Sequence, residues 1–135
     1  VAAAGNDYGG AVSFPAAYPE VIAVSATDSG DQMAVFSSVG PEVDIAAPGV
    51  SVFSTYKGSS YKTLSGTSMA TPHVAGAVAL VLTMPVGLYD LDADGAWDPS
   101  EVQNKLEATA QDLGVAGKDN LYGSGLLNVT GAIAL

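Results

Sequence analysis

The sequence predicts an α/β fold, and three observations carry that prediction. Hydrophobic residues make up 48% of the 135 positions and charged residues only 13%, a balance that suits a well-buried sheet. The run Val21-Ile22-Ala23-Val24 is continuously aliphatic, as strands covered on both faces are. After Ser68 the chain turns to small apolar residues (Ala70, Val74, Ala75, Ala77, Val78, Leu80, Val81) that read as a helix.

In chain order, residues 1–4 read as the end of a strand that delivers Gly5 and Asn6 to a loop. Asp7 to Ser13 is a glycine-containing loop. Residues 21–26, 43–47, 50–55 and 61–64 read as strands, separated by Gly, Pro, Asp and Ser. Lys57-Gly58-Ser59-Ser60 fits a hairpin turn. A long helix is expected from about Ser68 to just before Pro85, with Pro72 in its first turns, where a missing N–H costs least. A second helix is expected from Pro99 to about Ala110. Asp98 is a suitable N-cap, Pro99 a suitable first residue, and Glu101 completes a capping box. Val102, Leu106, Thr109 and Ala110 would face its core side. Residues 124–127 form a last short strand, and Asn128 can cap a final helix.

Composition narrows the function. Four basic residues stand against fourteen acidic ones, for a formal net charge of −10. Such an excess repels phosphate backbones, so no nucleic-acid partner is expected. It attracts cations, and either a salt-rich or a calcium-rich medium would suit it. There is no cysteine, so rigidity outside the cell would have to come from elsewhere, bound metal being one source. No run reaches the roughly 18 apolar residues of a membrane span, so no membrane partner is expected.

Chemistry centres on Gly66-Thr67-Ser68-Met69-Ala70-Thr71-Pro72-His73-Val74-Ala75-Gly76. A serine at a helix start lies beside free backbone N–H groups, where an oxyanion would be stabilised. The plain alternative is an N-cap serine. The surrounding sequence favours chemistry. These eleven residues resemble the nucleophile segment of the subtilisin-like serine proteases (subtilases). Ala2-Ala3-Ala4-Gly5-Asn6 resembles the segment carrying that family's oxyanion-hole asparagine. Similar matches run from Phe14-Pro15 through Tyr18-Pro19-Glu20-Val21-Ile22-Ala23-Val24 to Phe36–Val50, and again over Tyr122–Val129. The matches fall in family order over nearly the whole chain; only the segment around 84–98 departs clearly.

The resemblance implies several things. The fold is part of a three-layer, doubly wound, mostly parallel sheet, with a calcium-loop insertion. Residues 1–135 form the C-terminal half of a subtilisin-like peptidase domain, with a calcium loop at 90–101. Ser68 is the nucleophile of a secreted serine endopeptidase acting on protein or peptide substrates. Asn6 and the Ser68 N–H hold the oxyanion, with Thr67 adding a polar contact. Ala3, Ala4 and Gly5 line one wall of the pocket before the scissile bond, although a core-packing role suits these alanines equally well. Met69 packs against the nucleophile. The Phe14–Pro15 bond is cis. The catalytic aspartate and histidine lie outside this chain, in an N-terminal half that is a separate polypeptide or missing, and the segment alone is expected to be inactive. His73, the sole histidine, lies five residues after Ser68. That places it about 140° round the helix, so it is expected to pack structurally rather than to take a proton.

A second signal is independent of the family. Asp90-Leu91-Asp92-Ala93-Asp94-Gly95-Ala96-Trp97-Asp98-Pro99-Ser100-Glu101 matches the twelve-residue calcium loop of EF-hands. Asp90, Asp92, Asp94, the Ala96 carbonyl, Asp98 and Glu101 are the expected ligands. The plain alternative is a solvated acidic loop whose last two acids cap a helix. Pro85 and Gly87 argue against a helix leading into Asp90, so a structural calcium site without a full EF-hand is expected. The resemblance also suggests a weaker cation site formed by carbonyls of Ala16, Tyr18 and Val21 with Glu42 and Asp44. A non-catalytic, subtilase-like calcium-binding module is the competing reading of the whole chain.

Overall fold

The computed structural model describes residues 1–134. A three-stranded parallel sheet forms from β1 (Ala2–Ala3), β2 (Ala23–Thr27) and β3 (Val43–Pro48), in that order. A separate antiparallel hairpin follows, β4 (Val52–Tyr56) with β5 (Ser60–Leu64). Three helices complete the chain: α1 (Thr67–Val81), α2 (Pro99–Thr109) and α3 (Val129–Ala132). This mixed α/β arrangement with parallel strands is the predicted class.

β2 and β4 begin two residues later than the sequence suggested, β3 begins where expected, and β5 begins one residue earlier. The Val21 N–H is drawn into a turn by the Tyr18 carbonyl, so pairing starts at Ala23. Residues 124–127 do run beside β3, but only through single bridges such as Ala46 with Leu126. Gly123 and Gly125 take positive φ there, which breaks a regular ladder. Phe14–Pro15 is cis.

Helix α1 packs across the sheet with Ala70, Val74, Ala77 and Val81 buried, a spacing of three and four that keeps them on one face. They meet Val24 and Ala26 of β2, Ile45 and Ala47 of β3, and Val102 and Leu106 of α2 in the main core. The opposite face of the sheet buries Ala4, Ala23 and Val43 against Val12 and Ala16 from the loop before β2. Pro72 lies deeper in α1 than expected. It is the sixth helical residue, so the N–H it lacks would have reached the Ser68 carbonyl.

One irregularity sets the register. Ala23 pairs with Val43, but the next residue, Val24, pairs with Ile45. Asp44 is the extra residue of a bulge. In an unbulged strand Val43 and Ile45, two positions apart, would share a face; with the bulge, Val43 packs on one side of the sheet and Ile45 on the other.

Candidate active site

The end of β1 and the start of α1 meet at one corner. Asn6 follows β1, at the carboxyl end of a strand, where open α/β sheets place their ligands. Its Oδ1 accepts two hydrogen bonds from Thr67, one from the backbone N–H and one from the hydroxyl, each at 3.0 Å. Two donors at one end of the amide identify that end as the oxygen. The Thr67 hydroxyl also accepts the Gly5 N–H at 3.3 Å. Thr67 is fully buried, so it has no route to a bound peptide. Its role is to hold Asn6, which corrects the expected substrate contact.

The Asn6 Nδ2 is left facing outward. It lies 3.6 Å from the point where a Cβ on Gly66 would stand, and the Ser68 backbone N lies 3.7 Å from the same point. Gly66 has φ of 154° and no side chain to fill that recess. The Ser68 N–H belongs to the first turn of α1, where no intrahelical acceptor is available. Two donors thus converge beside an exposed serine hydroxyl. Met69 Sδ borders the same recess at 3.6 Å. A cleft of about 400 Å³ opens from Ser68, Met69 and His73 toward Val52, Ser54 and Leu64 of the hairpin.

Ala3 and Gly5 remain partly accessible beside this corner, but Ala4 is fully buried in the second core cluster. It lines the core, not a pocket. His73 is exposed, and its Nδ1 sits 3.0 Å from the Met69 carbonyl one turn back. It rests on its own helix rather than packing into the core. Two residues that the sequence did not flag support the corner. Ser38 accepts the Asp7 N–H with its hydroxyl and donates its own N–H to the Gly5 carbonyl, while the Ser13 N–H bonds the Ala4 carbonyl. Ser38 lies in the Phe36–Val50 stretch, yet nothing about its residue type marks this contact.

The acidic loop gathers Asp90, Asp92 and Asp94, with one carboxylate oxygen from each lying within 4.8 Å of the others. Local bonds fold it. Asp90 accepts the Asp94 and Gly95 N–H groups, Asp92 also accepts from Asp94, and Asp94 accepts from Ala96. A 3₁₀ turn, Gly87–Tyr89, leads into it in place of an α-helix. The Asp94 N–H draws the Asp92 pKa down, but desolvation and the charges of Asp94, Glu101 and Asp90 outweigh it, and the net shift is upward.

Asp98 and Glu101 form the expected capping box of α2. Asp98 caps α2, accepting the Glu101 and Ser100 N–H groups. The backbone bond from Glu101 first, and then the Ser100 hydroxyl, hold its pKa below the usual value. Glu101 is fully buried and accepts the Leu91 N–H on one oxygen and the Asp98 N–H on the other. It closes the loop from within. Trp97 ties the loop to the end of α1 by donating its indole N–H to the Met84 carbonyl at 2.7 Å.

Two of the residues named for a second cation site already have partners in the fold. Asp44 is engaged by Lys118 and by the Ala23 N–H, and the Tyr18 carbonyl already accepts the Val21 N–H.

With this geometry in view, similarity to known proteins becomes specific. The Subtilase family model matches residues 1–125. The chain belongs to the subtilase family. It is 48% identical over 132 residues to subtilisin Savinase of Lederbergia lenta, covering 98% of this chain and 45% of that protein. It is equally similar to an alkaline protease of Alkalihalobacillus alcalophilus, covering 32% of it. It is 46% identical over 123 residues to the halolysin-like extracellular serine protease Nep of Natrialba magadii, covering 91% of this chain and 21% of that protein. This subtilase segment thus spans less than half the length of these curated relatives. No helix among its described residues is long and apolar enough to cross a membrane.

Proposed function

We propose that this segment supplies the nucleophile and the oxyanion hole of a secreted subtilisin-type serine endopeptidase. The observation that carries the reading is the convergence of Asn6 Nδ2 and the Ser68 N–H on the space left by the absent side chain of Gly66, next to the exposed Ser68. A peptide carbonyl bound there would meet both donors as its oxygen gains charge, the moment at which such bonds accelerate acyl transfer. Ser68 attacks the carbonyl carbon and forms an acyl-enzyme, which water then hydrolyses. A histidine in the N-terminal half takes the Ser68 proton and passes it to the leaving amine, and an aspartate there orients that histidine. Substrates are proteins or peptides; the partner is the N-terminal half of the same domain.

Calcium belongs to the proposal. Asp90, Asp92 and Asp94 would hold it, with the Ala96 carbonyl, while Asp98 and Glu101 shape the loop. The fit rests on three converging carboxylates with a fourth, buried one close enough to raise the Asp92 pKa. The ion would neutralise these charges and fix the loop against the end of α1.

The test is labelling of the complete protein with a serine-reactive phosphonate. Stoichiometric modification at Ser68, lost in Ser68→Ala, is expected. A folded protein that binds calcium but takes no label would instead be the non-catalytic module, a reading favoured only by the acidic loop.

A further inference from the structure

We infer that Lys118 is a built-in cation for the bulge at Asp44, so that this side of the sheet is completed by the chain's own ammonium group and needs no metal. The inference begins with the bulge. An extra residue in a strand leaves a ladder N–H without its usual acceptor. Here the Ala23 N–H is satisfied by Asp44 Oδ2 at 2.9 Å, the side chain of the extra residue itself. That repair places a carboxylate between strands, where its side chain is only 12% exposed. A buried carboxylate needs a compensating charge. Lys118 Nζ provides it, 2.8 Å from Asp44 Oδ1. Both oxygens of Asp44 are then occupied.

The lysine is held in place for this task. Asp119 next to it accepts the Leu121 and Tyr122 N–H groups on one oxygen and the Val115 N–H on the other. Asp112 accepts the Gly117 N–H. The Asp119 N–H bonds the Gly123 carbonyl, and the Gly123 N–H returns the bond. The loop 112–123 is thus closed on itself before it reaches Asp44. It also docks there: Ser124 donates its N–H to the Asp44 carbonyl, and a Cβ on Gly123 would collide with the Asp44 backbone. The pair joins positions 74 residues apart. Among the described residues it is also the salt bridge of this chain. In a segment of net charge −10, the one paired ammonium is spent on the one carboxylate that sits inside the sheet.

The consequence is a difference in cation dependence between two acidic places. The loop at 90–94 has no lysine and would respond to calcium. The Asp44 site has its cation covalently supplied and would not. Removing the lysine charge should open the Asp44 site to metal.

The experiment compares melting temperatures of the complete protein, with and without added calcium, in an Asp90→Asn/Asp92→Asn/Asp94→Asn background that silences the loop. The background protein sets the reference calcium response, which Lys118→Met should enlarge. Lys118→Met should melt a few degrees lower, because the mostly buried Asp44 carboxylate loses the half-exposed ammonium that faces it, and calcium should raise it again. Adding Asp44→Asn to Lys118→Met should restore much of the loss without calcium and return the calcium response to that of the background, since a neutral amide oxygen can still accept the Ala23 N–H. This double variant also serves if Lys118→Met fails to fold. Equal calcium responses with and without Lys118, or losses from the two substitutions that simply add, would overturn the inference.

Discussion

The active-site corner and the acidic loop are assembled on opposite principles. At the corner, the bonds that orient Asn6 join residues 61 and 62 positions apart, and every group involved is neutral. In the loop, the orienting bonds reach ten residues at most, and the groups they gather are carboxylates. The corner exists only when β1 and α1 are already packed on one sheet. The loop can fold locally but carries its own repulsion. The first should therefore fail through lost alignment, and the second through uncompensated charge.

Five measurements would break or sharpen this contrast. The largest effect should come from Ser68→Ala in the complete protein. It should lower kcat by about 10⁶, a magnitude known from subtilisin itself. Next, Asn6→Ala should lower kcat by about 10²–10³ with little change in KM, again a value established in subtilisin. If KM rises instead, Asn6 binds ground state and the oxyanion reading fails. Thr67→Val keeps the shape but removes the hydroxyl that holds Asn6. It should cost about tenfold in kcat, the worth of one hydrogen bond, while Thr67→Ser recovers most of it. Equal losses in both variants would mean that Thr67 acts by packing alone.

Calcium removal should act on stability, not alignment. At a hundredfold excess over Kd a bound ion adds about 2.7 kcal/mol, so a chelator should lower Tm by several degrees. Fluorescence of Trp97, the one tryptophan of this segment, should shift with it. The pH sign follows from Asp92. Its pKa is raised in the fold, so the ion-free loop loses stability as pH rises through that pKa, and calcium should flatten this slope. The smallest effect is Asp98→Ala. The Asp98 pKa is lowered, so its contribution is present above the unfolded value of 3.8 and is lost as pH falls through the folded one. The variant should be slightly less stable at neutral pH and indistinguishable in strong acid.

How much the sequence revealed follows the same division. The helix at 99–109 and its capping box were legible, because Asp98, Pro99 and Glu101 act on their own neighbours. The hairpin turn and the three converging aspartates were legible for the same reason. The burial of Ala4 was not, since three successive alanines look alike until the sheet decides which faces inward. Nor was the task of Thr67, which depends on a residue 61 positions away. Lys118 carried no signal at all: one lysine in a glycine-containing loop looks solvated until the fold brings Asp44 to it. Glu101 read as a ligand because its spacing fits that motif, while its burial under Leu91 and Asp98 is a tertiary fact.

The bulge at Asp44 also shows how this stretch can vary in length. Deleting Asp44 alone would leave Val43 and Ile45 as neighbours that still alternate across a regular strand, and would remove the bulge together with the carboxylate that repairs it. Flattening the bulge with every residue kept would instead put Val43 and Ile45 on one face, and one of the two layers would lose its side chain.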